Sequence, residues 1–306
     1  MMGRNLTGYA GHTPISCWPG GARIAINFVI NYEEGAELTP LNGDTQAETY
    51  GGEFPMPPRP QGLRHLGMES LFEYGSRTGI WRLLRLFEQK AIPLTFFATG
   101  FALQLNPELC QYLRFSGYDI AGHGWRWIDY AFMPKEEEKK HIQQCVNTIE
   151  QLTGQRPEGW YTGRRSEHTR PLLREIGGFL YDSDSYADDL PYIEEEHLII
   201  PYTLVCNDFR YTTNPGFPNA DAFYLALKNT LDYLHEDNRP ALMTIGLHAR
   251  ISGHPGRCLA VRRFIDYLRR FPDVWIARRV DIARYWLSEI RTPSKNDHPA
   301  RRQKKQ

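Results

Sequence analysis

Two adjacent carboxylates, Glu33 and Glu34, stand directly after the apolar run Arg23-Ile-Ala-Ile-Asn-Phe-Val-Ile-Asn-Tyr32. A carboxylate at the edge of a buried segment can serve as a general base if desolvation raises its pKa toward neutrality. His123 follows a second short strand-like segment, and His248 follows the strongly apolar Ala241 to Leu247. A buried imidazole needs a polar partner, which makes both histidines candidates for acid or orienting group. Trp125 and Trp127 lie beside His123, and Trp160, Tyr161 and Arg164 form a second polar and aromatic group. Asp182, Asp184 and Arg250 complete the set. Each has a plainer reading: the Glu pair as a solvated loop pair, His123 as a core histidine bonded to backbone. What favours chemistry is that all of them fall just past the ends of predicted strands.

Strands and helices alternate along the chain. Strand-like segments recur at 23–32, 94–99, 119–123, 159–162, 179–182, 197–202, 241–247 and 274–277. Helical patterns occupy 79–89, 107–115, 134–152, 222–235 and 258–270, the second with Asn106 as N-cap and Pro107 in the first turn. Such alternation predicts an α/β fold, a distorted (β/α) barrel of about seven strands in a single domain over residues 1–291. In barrels the C-terminal strand ends converge on one face, which holds the active site. No G-x-G-x-x-G opens a helix after the first strand, so a dinucleotide fold is not indicated. The Gly- and Pro-rich stretch from Glu37 to Arg64 has no period and reads as a lid or subunit contact. Residues 292–306 read as a disordered basic tail.

Composition narrows the class. Of 306 residues, 36 are Lys or Arg and 36 are Asp or Glu, a balance that lacks the basic field of a nucleic-acid binder. No apolar run approaches the roughly 18 residues that cross a bilayer, and Met1 to Gly11 carries no apolar signal core. The five scattered cysteines include no C-x-x-C pair, which suits reduced thiols and a cytoplasmic location. Aromatic residues reach 13%, enough for a stacking pocket or simply for a large packed core.

Asn31-Tyr-Glu-Glu-Gly35 resembles the first motif, T-F-D-D-G, of the polysaccharide (NodB-type) deacetylases. His123-Gly-Trp-Arg-Trp127 lies where that family has H-[ST]-x-x-H, and Gly246-Leu-His248 where it has its Leu-x-His motif. The resemblance is fuller to one branch, the deacetylase-like allantoinases of purine catabolism. The strings similar to that branch include Trp18 to Ala25, Met68 to Arg77, His123 to Tyr130, Gly159 to Arg164, Tyr181 to Tyr192 and Arg278 to Arg284. It covers about residues 5 to 288 and implies a distorted barrel, hydrolysis of allantoin to allantoate, and a homotetramer.

In the parent deacetylases, the first Asp acts as base and the second joins two histidines around a divalent metal. Here those positions are Glu33 and Glu34, and the second histidine is replaced by Trp127, whose indole offers no lone pair. At most two protein ligands remain where a catalytic zinc typically has three, so the resemblance implies catalysis without a metal. Glu33 or Glu34 is then the base, with His123 and His248 as acid and orienting partner. Arg164 and the indoles of Trp125 or Trp127 are the candidate oxyanion donors. The Tyr181 to Tyr192 string is expected to recognise a ureido group. The rival functions are a cyclic imide hydrolase, a sugar N-deacetylase, or a non-catalytic binding protein on the same fold. The substrate is in every case a small molecule or sugar, with neither nucleic acid nor membrane as partner.

Overall fold

The computed structural model describes residues 4–52 and 57–291. In chain order the strands are β1 (Ile24–Tyr32), β2 (Leu94–Ala98), β3 (Asp119–Gly122), β4 (Gly159–Trp160), β5 (Tyr181–Asp182), β6 (Tyr192–Glu194), β7 (His197–Ile199), β8 (Ala241–His248) and β9 (Val274–Ile276). The helices are α1 (Leu66–Tyr74), α2 (Ile80–Lys90), α3 (Gly100–Leu105), α4 (Pro107–Ser116), α5 (Lys135–Thr153), α6 (Thr169–Ile176), α7 (Ala220–Asp237), α8 (Ala249–Ser252), α9 (Pro255–Leu268) and α10 (Arg279–Arg291).

All nine positions of β1 are buried, as a continuous apolar run predicts for a central parallel strand. It pairs with β8 over residues 24–31 on one edge; on the other it pairs with β9 over 24–26 and then with β2 over 28–32. The sheet runs β6-β7-β5-β4-β3-β2-β1-β8, parallel throughout except where β6 folds back on β7. The sequence led us to expect about seven strands; the structure has nine among the described residues. Of the nine, only the short β6, Tyr192–Glu194, falls in no strand-like segment of the sequence: it is a three-residue edge strand, too brief to show a period.

The gap between β7 and β8 is closed by loop rather than by a strand. Leu242 N–H donates to the Asp189 carbonyl (2.8 Å), Thr244 N–H donates to Thr203 Oγ1 (3.0 Å), and Asn207 bridges Gly246. The result is the distorted barrel that the alternation predicts.

Side-chain alternation along β1 separates two cores. Ile24, Ile26, Phe28, Ile30 and Tyr32 pack outward with the helices, including Leu83, Leu84 and Phe87 of α2. Ala25 and Val29 point inward with Phe97, Ala121, Tyr161, Tyr181 and Leu242. Because side chains alternate with period two, the inward parity continues to Glu33 after β1, His123 after β3 and His248 at the end of β8. The sheet register brings these ends together, with Asn31 opposite His248 and Ala98 opposite Gly122. Deeper in the barrel, the fully buried Arg279 guanidinium donates to Asn27 Oδ1, Thr244 Oγ1, Ser183 Oγ and the carbonyls of Ile200 and Pro201.

Helix boundaries follow local chemistry. Asn106 Oδ1 accepts from Leu109 N–H and Pro107 opens α4, while α5 stops at Gly154 in the left-handed region. Helices α1 and α2 are joined without a break by a π turn, Gly75–Gly79. The anticipated tail at 292–306 lies outside the described residues. Among the described residues, no helix is long and apolar enough to cross a membrane.

Candidate active site

The barrel mouth gathers three basic side chains around one carboxylate. Glu33 Oε1 lies 3.0 Å from His123 Nε2 and 3.5 Å from His248 Nε2, and Glu33 Oε2 lies 2.7 Å from Arg250 Nη2. All four residues are buried. Burial alone would raise the Glu33 pKa, but the positive charges of Arg250 and His248 and the hydrogen bonds from both histidines outweigh it. They hold the carboxyl well below its usual range.

Each histidine is oriented from behind. His248 Nδ1 lies 2.7 Å from Asp208 Oδ1, while Asp208 Oδ2 accepts from the backbone N–H groups of His248 (2.8 Å) and Ser252 (3.2 Å). Burial works against the imidazolium, but Glu33 and Asp208 flank it with negative charge and push its pKa up to about 9. His248 therefore carries a proton on both nitrogens at neutral pH. His123 Nδ1 lies 2.5 Å from the Tyr161 carbonyl, which can only accept, and the ring stacks on Tyr161 at 5.2 Å. Nδ1 is therefore the donor to that carbonyl, and Nε2 faces Glu33.

Glu34 plays a different part. Its Oε2 accepts from the Glu33 backbone N–H (2.9 Å) and its Oε1 from the Arg250 N–H (3.2 Å). It locks the end of β1 to the start of α8. Burial and the neighbouring Glu33 raise its pKa against the pull of Arg250. The π turn makes room for it: a Cβ on Gly75 would stand 2.4 Å from Glu34 Oε1 and 2.8 Å from Arg250 N. π turns inside helices often mark functional sites.

Trp127 belongs to an aromatic wall. Its ring lies 5.9 Å from Phe72, 6.2 Å from Tyr50 and 6.3 Å from Phe209, and the guanidinium carbons of Arg164 and Arg250 lie 4.4 and 5.1 Å from its centroid. Arg164 Nη2 also donates to the Trp127 carbonyl (3.0 Å). Arg250 sits over Phe72 as well, at 4.3 Å. Despite its closeness to Glu33, none of the Arg250 Nε, Nη1 and Nη2 donors makes a hydrogen bond with suitable angles. A buried guanidinium with free donors is prepared to meet an oxygen atom of a ligand.

The sequence-derived residues Glu33, Glu34, His123, His248, Trp127, Tyr161, Arg164 and Arg250 thus come together. Four others do not. Trp125 packs on Phe101 and over Gly100 at the start of α3. Trp160 donates from Nε1 to Thr162 Oγ1 and packs on Gly122 and Phe179. Asp182 is engaged by Arg170 (2.7 Å) and lies 3.2 Å from His197. Asp184 accepts from the Thr162 and Gly163 N–H groups. The two aspartates are spent on tying loops together, which leaves the Tyr181 to Tyr192 string no free carboxylate for a ureido group at those positions. Asp208 went unremarked in the sequence, because it lies in a short 3₁₀ turn, Asp208–Thr212, far along the chain from any motif. Arg126 was also passed over. It grips Asp44 and the Glu37 carbonyl and so pins the long loop after β1.

The donor set does not suit a divalent cation. Both Glu34 oxygens are engaged by backbone donors, Arg250 already places a cation against Glu33, and the Trp127 indole beside Arg250 offers no lone pair. Among the described residues no three His, Cys, Asp or Glu side chains converge on a metal-sized position.

Comparison with known proteins agrees with this frame. A family model described as polysaccharide deacetylase matches residues 68–177. A curated Schizosaccharomyces pombe protein named "Putative polysaccharide deacetylase" is 39% identical over 314 residues, covering 94% of this chain and 97% of its own length. The solved structure of a "probable Polysaccharide deacetylase" from Pseudomonas aeruginosa PAO1 superposes with a TM-score of 0.91 at 48% identity, covering 94% of this chain and 98% of that one. That of PuuE allantoinase does so with a TM-score of 0.91 at 46% identity and the same coverage. With identity sustained over almost the whole length, on a sheet whose strand ends carry the family's carboxylate and histidine positions, the chain belongs to the polysaccharide deacetylase family.

Proposed function

We propose that this protein is an allantoinase, opening the hydantoin ring of allantoin with water to give allantoate. The observation that carries the reading is the set of donors around the buried Glu33 carboxylate: two histidines and the buried Arg250 guanidinium. The 46% identity to PuuE allantoinase supports it.

In this reading, a water molecule at Glu33 attacks the ring carbonyl carbon. The resting contacts keep Glu33 weakly basic. A substrate carbonyl that draws the Arg250 donors toward itself removes part of that compensation, so Glu33 becomes more basic as substrate enters. Glu33 takes the water proton, and the new oxyanion is met by Arg250 and by the His248 imidazolium. One well-placed donor of this kind is worth about 3–4 kcal/mol of barrier. His248, held by Asp208, then passes its proton to the leaving ring nitrogen. The C–N bond breaks, water oxygen remains on the carbon, and the product is a carboxylate with a free ureide N–H. His123 orients Glu33 through the contact between its Nε2 and Glu33 Oε1.

The test is product identification with purified protein offered allantoin, hydantoin, succinimide and N-acetylglucosamine oligomers. Allantoate from allantoin is expected. Release of acetate from the oligomers without ring opening would move the function to sugar deacetylation, the activity in the names of several relatives.

A further inference from the structure

The reaction just described leaves Glu37 unused. Its backbone is pinned: Asn42 Nδ2 (3.1 Å) and Arg126 Nη2 (2.5 Å) donate to the Glu37 carbonyl, and Trp127 N–H donates to the Ala36 carbonyl (3.0 Å). The side chain is 3% exposed, and its Oε2 has no hydrogen-bond partner. Arg250 and Glu34 are its charged neighbours. Burial pushes the carboxyl up to about 7, against hydrogen bonds from the Glu37 and Gly35 backbone N–H groups and the pull of Arg250, so that Oε2 is the oxygen left without a donor. A buried oxygen without a donor is unfavourable, and beside it the buried Arg250 guanidinium, ion-paired to Glu33 at 2.7 Å, makes no well-directed hydrogen bond through Nε, Nη1 or Nη2. Folding brings the two charges close without a hydrogen bond between them. Unpaired acceptor beside unpaired donors is the complement of a group that shows N–H and C=O side by side.

We propose that Glu37 and Arg250 form a subsite for an amide or ureido arm on the substrate, Glu37 accepting from its N–H and Arg250 donating to its C=O. Arg250 has five N–H donors and can serve this arm and the reacting carbonyl together. The inference rests on the cyclic-amide reading above and names the feature of the substrate that the site selects. It also relocates the recognition that the Tyr181 to Tyr192 string cannot supply through Asp182 and Asp184.

The experiment compares allantoin, which carries a ureido arm on its ring, with hydantoin, which has the same ring and no arm. Glu37→Leu and Glu37→Gln are measured against the parent, by kcat and KM where the ring opens and by calorimetric Kd where it does not. In Glu37→Leu, affinity for allantoin should fall at least about tenfold while that for hydantoin stays within about threefold. The melting temperature should hold or rise, because an unpaired buried acid has been removed. Glu37→Gln, which keeps an acceptor oxygen, should lie between. Equal losses for both compounds, or a parent that binds them equally, would overturn the subsite. A parent that prefers allantoin but never opens it, with the preference lost in Glu37→Leu, would support the subsite and defeat the allantoinase reading instead.

Discussion

Glu33 is surrounded by more positive partners than one carboxylate needs, and its chemistry depends on how they share it. Glu33→Gln keeps the shape but removes the proton acceptor. We expect kcat to fall at least ~100-fold, the usual scale for a general base, in a protein that still folds but melts lower because Arg250 loses its counter-charge; near-parental turnover would exclude Glu33 as base. The acid side is set by His248, whose pKa is raised to about 9 by Glu33 and Asp208. A raised pKa keeps the proton on through neutrality, so kcat should hold to about pH 9 and fall above it. Asp208→Asn withdraws a charge that favours the imidazolium, so the alkaline limb should move to lower pH. A pH–rate profile checks this, and an unmoved limb would show that His248 is not the acid. Glu33, His123 and His248 were legible because each ends an apolar run with inward parity. Asp208 and Glu37 were not, since both sit in irregular segments where no period exists and only tertiary packing buries them.

The strands place the reacting groups, but a turn of helix makes the site fit. Gly75 in the π turn lets Glu34 and the Arg250 backbone approach within a distance that no side chain tolerates. Gly75→Ala should therefore displace the start of α8, lowering both thermal stability and kcat. A fully active, equally stable variant in a melting and turnover assay would show that the π turn is incidental. The central strands and the long amphipathic helices could be read from sequence because hydrophobic period decides them. Helix α1 and the π turn could not, because the Gly75 to Gly79 segment, with two glycines, interrupts the pattern. Trp125 and Trp160 misled for a related reason: they sit at strand ends like the site residues, yet face α3 and the outer core. Strand-end position alone does not fix which way a side chain points once the strand has stopped.

Over the whole molecule, an apolar double core holds the fold together, and the loop from Glu37 to Arg64 is the segment we expect to meet other molecules. Leu41 and Leu63 on that loop, and Leu66 just after it, are exposed. We expect them to meet other copies, giving a species larger than a monomer, probed by light scattering at micromolar concentration. A strictly monomeric mass would remove that role from the loop. The pinning of the same loop by Arg126, through Asp44 and the Glu37 carbonyl, ties any such assembly to the active site. In the proposed reaction a guanidinium and two histidines perform what a metal ion performs in a three-ligand site. The most direct measurement is turnover of allantoin by protein dialysed against a strong chelator and verified by elemental analysis to be free of metal. Allantoate should form at the rate of the untreated enzyme, and added zinc, cobalt or manganese should not raise it; activity that vanishes on stripping and returns with one of these ions would contradict the account.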